Sequence, residues 1–178
     1  MNTVHAFSLG SGNPSINVYV EKAPPLHALW GEMPLTGSHT PLINGDINAI
    51  GQAGGNGWRK VFNVYAKLLF ALPEDSTLRP LGFSTWQRFR DEALLQQASN
   101  AALYFGRHDL LTLADSGGIH IIAGKTHAQK LGIAEQCVWL DKDFARHPTL
   151  PIVICPYFDY RQLSNQKIDV LTKLMAKL

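Results

Sequence analysis

The chain has 178 residues, of which 46% are hydrophobic and 17% charged. That composition excludes disorder, which needs low hydrophobicity and high net charge, and the length suits one domain spanning residues 1–178. The formal net charge is +2 and neither half is charge-biased, so a broad basic footprint for wrapping nucleic acid is absent.

In chain order, Ile16–Val20 (INVYV) is β-branched and aromatic and predicts a strand, stopped by Pro24 and Pro25. Residues 31–57 are rich in Gly, Pro, Asn and Thr and read as a long irregular connection. Asn56 is expected to cap a helix. Trp58, Val61, Phe62, Tyr65, Leu68, Leu69 and Leu72 recur there at three- and four-residue spacing, and Pro73 ends it. A second helix is expected over 84–99, capped by Ser84 or Thr85.

From there strands and short helices alternate. Strands are expected at Ala101–Phe105, Ile119–Ala123, 137–140 and 151–155. Helices are expected at 108–114, 125–131 and 164–177, with Gly117-Gly118 and Gly132 as stops. The alternation predicts a three-layer α/β/α fold with a mainly parallel central sheet. Cys137 and Cys155 lie in strand-like runs and read as buried thiols; no zinc-site spacing is present. The longest apolar run near the C-terminus is too short to span a bilayer, so no membrane partner is expected. Residues 1–12 have no basic or apolar leader stretch, and a cytoplasmic location is expected.

Ligands of parallel α/β sheets bind outside the carboxyl ends of the strands. That rule selects Glu21 and Lys22; Arg107, His108 and Asp109; Lys125, Thr126 and His127; Asp141 and Asp143; and Tyr157, Phe158, Asp159 and Tyr160. Among them Arg107, His108, Lys125, His127, Tyr157 and Asp159 are expected to converge on one cleft, combining cations, titratable imidazoles and an aromatic wall. His120 alternates within its strand and reads as a packed histidine. A second candidate is the Gly-rich run 51–57 at a helix N-terminus, where Gly55, Gly57, Arg59 and Lys60 are candidates for holding an anion. Asp141-x-Asp143 has the form of a weak magnesium motif, but metal ligands are not assigned. The Gly-rich run matches neither the P-loop nor the dinucleotide fingerprint, so no cofactor is assigned. No Gly-x-Ser-x-Gly elbow is present either.

The run Ile119-His120-Ile121-Ile122-Ala123-Gly124-Lys125-Thr126-His127-Ala128-Gln129-Lys130 resembles the uracil-DNA glycosylase superfamily, in which such a strand enters Gly-x-x-Ala-Gln-Lys-Lys. Cys155-Pro156-Tyr157-Phe158-Asp159 stands where that family has His-Pro-Ser-Pro-Leu-Ser. Glu21-Lys22-Ala23-Pro24-Pro25 stands where it has Gly-Gln-Asp-Pro-Tyr. The resemblance implies a uracil-DNA-glycosylase-like fold and, as partner, a nucleotide, base or single-stranded nucleic acid. Arg107, Lys125 and His127 would meet phosphate, and Tyr157 or Phe158 would stack on a base. The departures imply lost excision. The family's water-activating Asp falls on Ala23, its catalytic His on Cys155 and its pocket Tyr on Pro25, so no catalytic residue carries over. The alternatives are an enzyme of another class using His108 or His127 on an anionic substrate, or a protein-interaction module with an apolar patch around Trp30 or Trp139. The sequence does not give the oligomeric state.

Overall fold

A computed structural model describes residues 6–178; residues 1–5, part of the stretch read above for a leader, lie outside the described residues. In chain order the elements are β1 (Phe7–Gly10), β2 (Ile16–Val20), α1 (Leu26–Trp30), β3 (His39–Thr40), α2 (Asp46–Gly54), α3 (Asn56–Phe70) and α4 (Trp86–Glu92). There follow β4 (Ala101–Phe105), α5 (Leu110–Asp115), β5 (Ile119–Ala123), α6 (Lys125–Lys130), β6 (Val138–Trp139), β7 (Ala145–Arg146), β8 (Ile152–Cys155) and α7 (Asn165–Met175).

The strands form one mixed sheet in the order β3-β1-β4-β2-β5-β8-β7-β6. Its centre, β4-β2-β5-β8, is parallel, with Val18 facing Leu103 on one side and Ile121 on the other. β1 runs antiparallel to β4, and β7 antiparallel to β8. Side chains alternate between two cores. Phe7, Leu9, Val18, Val20, Leu103, Phe105, Ile121 and Val153 face a core completed by α2, α3, α4 and α7. Tyr19, Ala102, Tyr104, Ile122, Ile152 and Ile154 face a smaller core covered by α5 and α6. The expected α/β fold, mainly parallel with helices on both faces, is therefore present.

Several boundaries differ from expectation for identifiable reasons. The irregular reading of 31–57 is overturned in part, because Ile47 and Ile50 seat α2 on the large core despite the surrounding glycines. Asn56 is the first residue of α3 rather than its cap. Gly55, at φ 84°, makes the sharp junction between α2 and α3. The helix expected over 84–99 stops at Glu92. Ala93 leaves helical geometry, Leu95 sits at φ 59°, and Leu94 and Leu95 turn together into the core. Its cap is Thr85, which accepts the Arg88 N–H at 3.2 Å. The helix expected at 108–114 begins at Leu110, because the Asp109 carboxylate caps it. The strand expected at 137–140 shrinks to β6 in an antiparallel ribbon with β7. β1 escaped prediction because four residues carry no periodicity.

Gly10 is one place where the sheet requires glycine. It sits at φ 114°, and a Cβ there would stand 2.3 Å from the Ala101 carbonyl oxygen in β4. Gly10→Ala is expected to cost about 2–4 kcal/mol, combining left-handed strain with overpacking. Gly12→Ala, whose Cβ would meet nothing within 4 Å, is expected to stay within about 0.5 kcal/mol of the native chain. Urea unfolding midpoints of the two variants check this.

Candidate functional site

The parallel centre sends four strand exits to one edge. After β4, Gly106 turns the chain at φ 81° and presents Arg107, which is exposed and makes no ion pair or hydrogen bond among the described residues. His108 folds back over the small core. Its Nε2 donates to the Phe105 carbonyl at 2.8 Å, which fixes the tautomer, and its ring stands edge-on to Tyr104 at 5.0 Å. Burial pushes the His108 imidazole below the usual histidine range, and the Phe105 and Phe7 carbonyls partly restore it. Beside these residues lies an open cleft of about 330 Å³. Leu110, Leu131, Ile133 and Gln136 are among the residues that line it.

After β5, Gly124 at φ 104° leads into α6. His127 is only 6% exposed, and its Nε2 has no hydrogen-bond partner. Burial pushes its imidazole down. The Glu21 carboxylate pulls it back up, while Lys130 and His108 push it down further. Glu21, at the β2 exit, is in turn hydrogen-bonded by the Lys130 ammonium, which holds its carboxyl below the usual carboxylate range. Lys125 lies over the Trp139 ring, 4.7 Å from its centroid.

After β8 the side chains turn to the other face. Tyr157 is half-buried against the large core, and burial followed by the Asp159 charge raises its hydroxyl above the usual tyrosine range. Phe158 is fully buried edge-on to Tyr65, so the expectation that it could stack on a base is overturned. The exposed ring is Tyr160, at 57%, with the Lys60 ammonium 5.3 Å from its centroid. Asp159 accepts from Lys60 at 3.3 Å, from the Arg161 guanidinium at 3.0 Å and from the Arg161 backbone N–H at 2.9 Å. The Arg161 hydrogen bonds, then Lys60, hold its carboxyl far below the usual range.

The six residues expected in one cleft thus fall into two groups. Arg107, His108, Lys125 and His127 lie with the small core, while Tyr157 and Asp159 lie with the large one. Of the four, Arg107 and His108 line the cleft itself. Leu131, Ile133 and Gln136 were not anticipated. The one signal for them was their place around the Gly132 stop. The second candidate also divides. Gly55 and Gly57 are exposed at the start of α3, but Lys60 turns to Asp159 and Arg59 lies across Gly51 on α2.

His120 is packed as expected, accepting from Tyr19 Oη at Nδ1 (2.8 Å) and donating from Nε2 to the Gly117 carbonyl (2.9 Å). Asp141 shapes a turn by accepting the Asp143 and Phe144 N–H groups, and Asp143 pairs with Lys167 at 3.0 Å. Cys137 and Cys155 are buried free thiols, the former pushed up to about 11 by burial.

These shifts predict two windows of acid sensitivity. His108, His120 and His127 have folded pKa values below their unfolded ones, so their contribution is complete above about pH 6.5 and is lost as pH falls. Asp159 behaves alike, with its window below about pH 4. In urea titrations, His127→Gln is expected to lose less stability than the native chain between pH 7 and pH 5. Asp159→Asn is expected to be less stable at pH 7, with the gap narrowing as pH falls below about 4.

Among the described residues, no helix is long and apolar enough to cross a membrane. No cluster of three His, Cys, Asp or Glu side chains there could hold a metal ion. No curated protein and no solved structure matches the chain. One family model, described as a family of unknown function, matches residues 7–176. That span holds every strand and helix of the described residues, and the chain belongs to the DUF6942 family.

Proposed function

We propose that this chain is a uracil-DNA-glycosylase-like domain that has lost base excision and binds a nucleotide, or the end of a single nucleic-acid strand, at the carboxyl edge of its sheet. The observation that carries the reading is the cleft after β4. An unpaired guanidinium, Arg107, lines it together with the apolar side chains of Leu110, Leu131 and Ile133 and the amide of Gln136. Apolar side chains suit the face of a base, an amide can meet its edge, and a free guanidinium suits a phosphate. Trp139 under Lys125 adds a ring and a cation near the same edge. The balanced net charge favours a ligand with one or two phosphates over a long duplex.

Loss of excision rests on the residues at the corresponding positions. Ala23 is exposed and has no base to offer. Cys155 is fully buried on the large-core side, its thiol donating to the Pro156 carbonyl at 3.3 Å. Burial raises that thiol far above the usual range, so it stays protonated and cannot face a substrate.

A second reading is favoured by the unpartnered, buried Nε2 of His127 beside Glu21. A neutral imidazole with a free ring nitrogen and a carboxylate neighbour suits acid–base chemistry on a small anion.

Titration of uridine monophosphate into the pure protein, followed by calorimetry, tests the first reading. Arg107→Ala is expected to weaken binding about tenfold, the loss of one charge-assisted contact of about 1.4 kcal/mol, and more at low salt than at high salt. Unfolding should be unaffected because Arg107 is exposed. Absence of saturable binding, or equal binding by Arg107→Ala, overturns the proposal. Release of uracil from single-stranded DNA by the pure protein overturns the loss of excision. Turnover of a small anion that is abolished by His127→Gln would favour the second reading instead.

A further inference from the structure

On the large-core face, a second cleft opens among α2, α3 and α4, and it shares no lining residue with the cleft beside Arg107. We propose that it binds a small oxyanion of the phosphate class. The proposal does not depend on the ligand assigned to the sheet edge.

Two guanidiniums, Arg59 and Arg90, and two amides, Asn48 and Asn63, line it together with Ile47, Phe62 and Asp91. Arg90 is held on three sides. Its Nε and Nη2 donate to Asp91 Oδ1 and Oδ2 at 2.8 and 3.0 Å, and its Nη1 donates to Asn63 Oδ1 at 2.7 Å. Its guanidinium lies over the Trp86 ring at 5.4 Å. A guanidinium has five N–H donors, so one N–H on each terminal nitrogen stays uncommitted. Both Asp91 oxygens accept from Arg90, so the one carboxylate of the cleft is paired with one of its two guanidiniums. Asn63, its oxygen engaged, has its amide N–H₂ left to donate. Asn48 and Arg59 complete the polar wall.

Arg59 reaches the cleft through a specific accommodation. It lies across Gly51, which is buried in α2, and a Cβ at Gly51 would stand 2.8 Å from Arg59 Cγ. Glycine there lets the arginine lie flat against the helix. Its guanidinium makes one long contact of 3.5 Å, to Asn56 Oδ1, and no ion pair. Two guanidiniums therefore approach one hollow, and one of them is not neutralised. Its volume, about 120 Å³, holds roughly four waters and lies well below the roughly 300–1,000 Å³ of pockets for larger organic ligands. A tetrahedral oxyanion fits both the size and the donor set.

Inorganic phosphate titrated at constant ionic strength, with chloride as reference, is the test, read by amide chemical shifts. Saturable shifts are expected over 46–63 and 86–91, with millimolar affinity. Arg59→Ala, at an exposed position that leaves folding intact, is expected to weaken binding at least fivefold. Gly51→Ala, which displaces Arg59, and Asn63→Asp, which adds a carboxylate, should do likewise. Arg107→Ala should leave these shifts unchanged, which separates this site from the sheet edge. Shifts that fail to saturate, that chloride reproduces, or that persist in Arg59→Ala overturn the proposal.

Discussion

Parallel strands cannot be joined by tight turns, and that constraint arranges this molecule. Each link between successive strands of the parallel set β2, β4, β5 and β8 must leave one edge of the sheet and return to the other. The link from β2 to β4 is the long one, and it contains α1, β3, α2, α3 and α4. The link from β4 to β5 carries only α5, and that from β5 to β8 carries α6 and the β6–β7 ribbon. The long excursion supplies the thick layer over one face, and the short ones leave the other thinly covered. A six-residue helix is about 9 Å long, whereas a five-residue strand extends about 17 Å. The cleft beside Arg107 is a product of that mismatch.

The thin layer also explains the chemistry of the small core. Where few helical side chains are available, the sheet fills the space with its own larger and more polar residues. Tyr19 and Tyr104 stack at 4.7 Å, and Tyr19 lies 5.9 Å from His120 in a further stacked pair. The Tyr19 hydroxyl and both His120 nitrogens are hydrogen-bonded, as buried polar groups require. On the opposite face Tyr65 meets the same requirement by donating to the Ala102 carbonyl at 2.9 Å. The free Nε2 of His127 stands out against this background of satisfied neighbours.

Much of this architecture was legible in the sequence where burial and punctuation coincide. Ile16–Val20, Ala101–Phe105 and Ile119–Ala123 are strands at the expected residues, because β-branched and aromatic runs between turn residues have few other ways to bury themselves. Legibility failed where local composition and tertiary packing disagree. α2 is glycine-rich and still helical because two isoleucines anchor it, while Leu94 and Leu95 break a helix by entering the core together. At the sheet edge, the rule that ligands gather at strand ends found Arg107, His108, Lys125 and His127 on a common side. It could not separate them from Tyr157 and Asp159. Which side a residue takes beyond a strand depends on the dihedral angles of one or two loop residues, such as Gly106 and Gly124, and these leave no trace in spacing.

The outermost strands, β3 and β6, are two residues each, and Pro41 follows β3 directly. An unpaired strand edge is a template on which another chain can add, and its strength grows with the number of free backbone groups it offers in a row. Two residues offer too few for a stable added strand, and a proline beyond them has no N–H to extend the ladder. The central strands are buried and largely apolar and would be hazardous if one of them were exposed at a margin. By tapering to stubs on both sides, the sheet keeps its adhesive interior and gives neighbouring copies almost nothing to zip onto, a form of protection against fibrous self-association built from length alone.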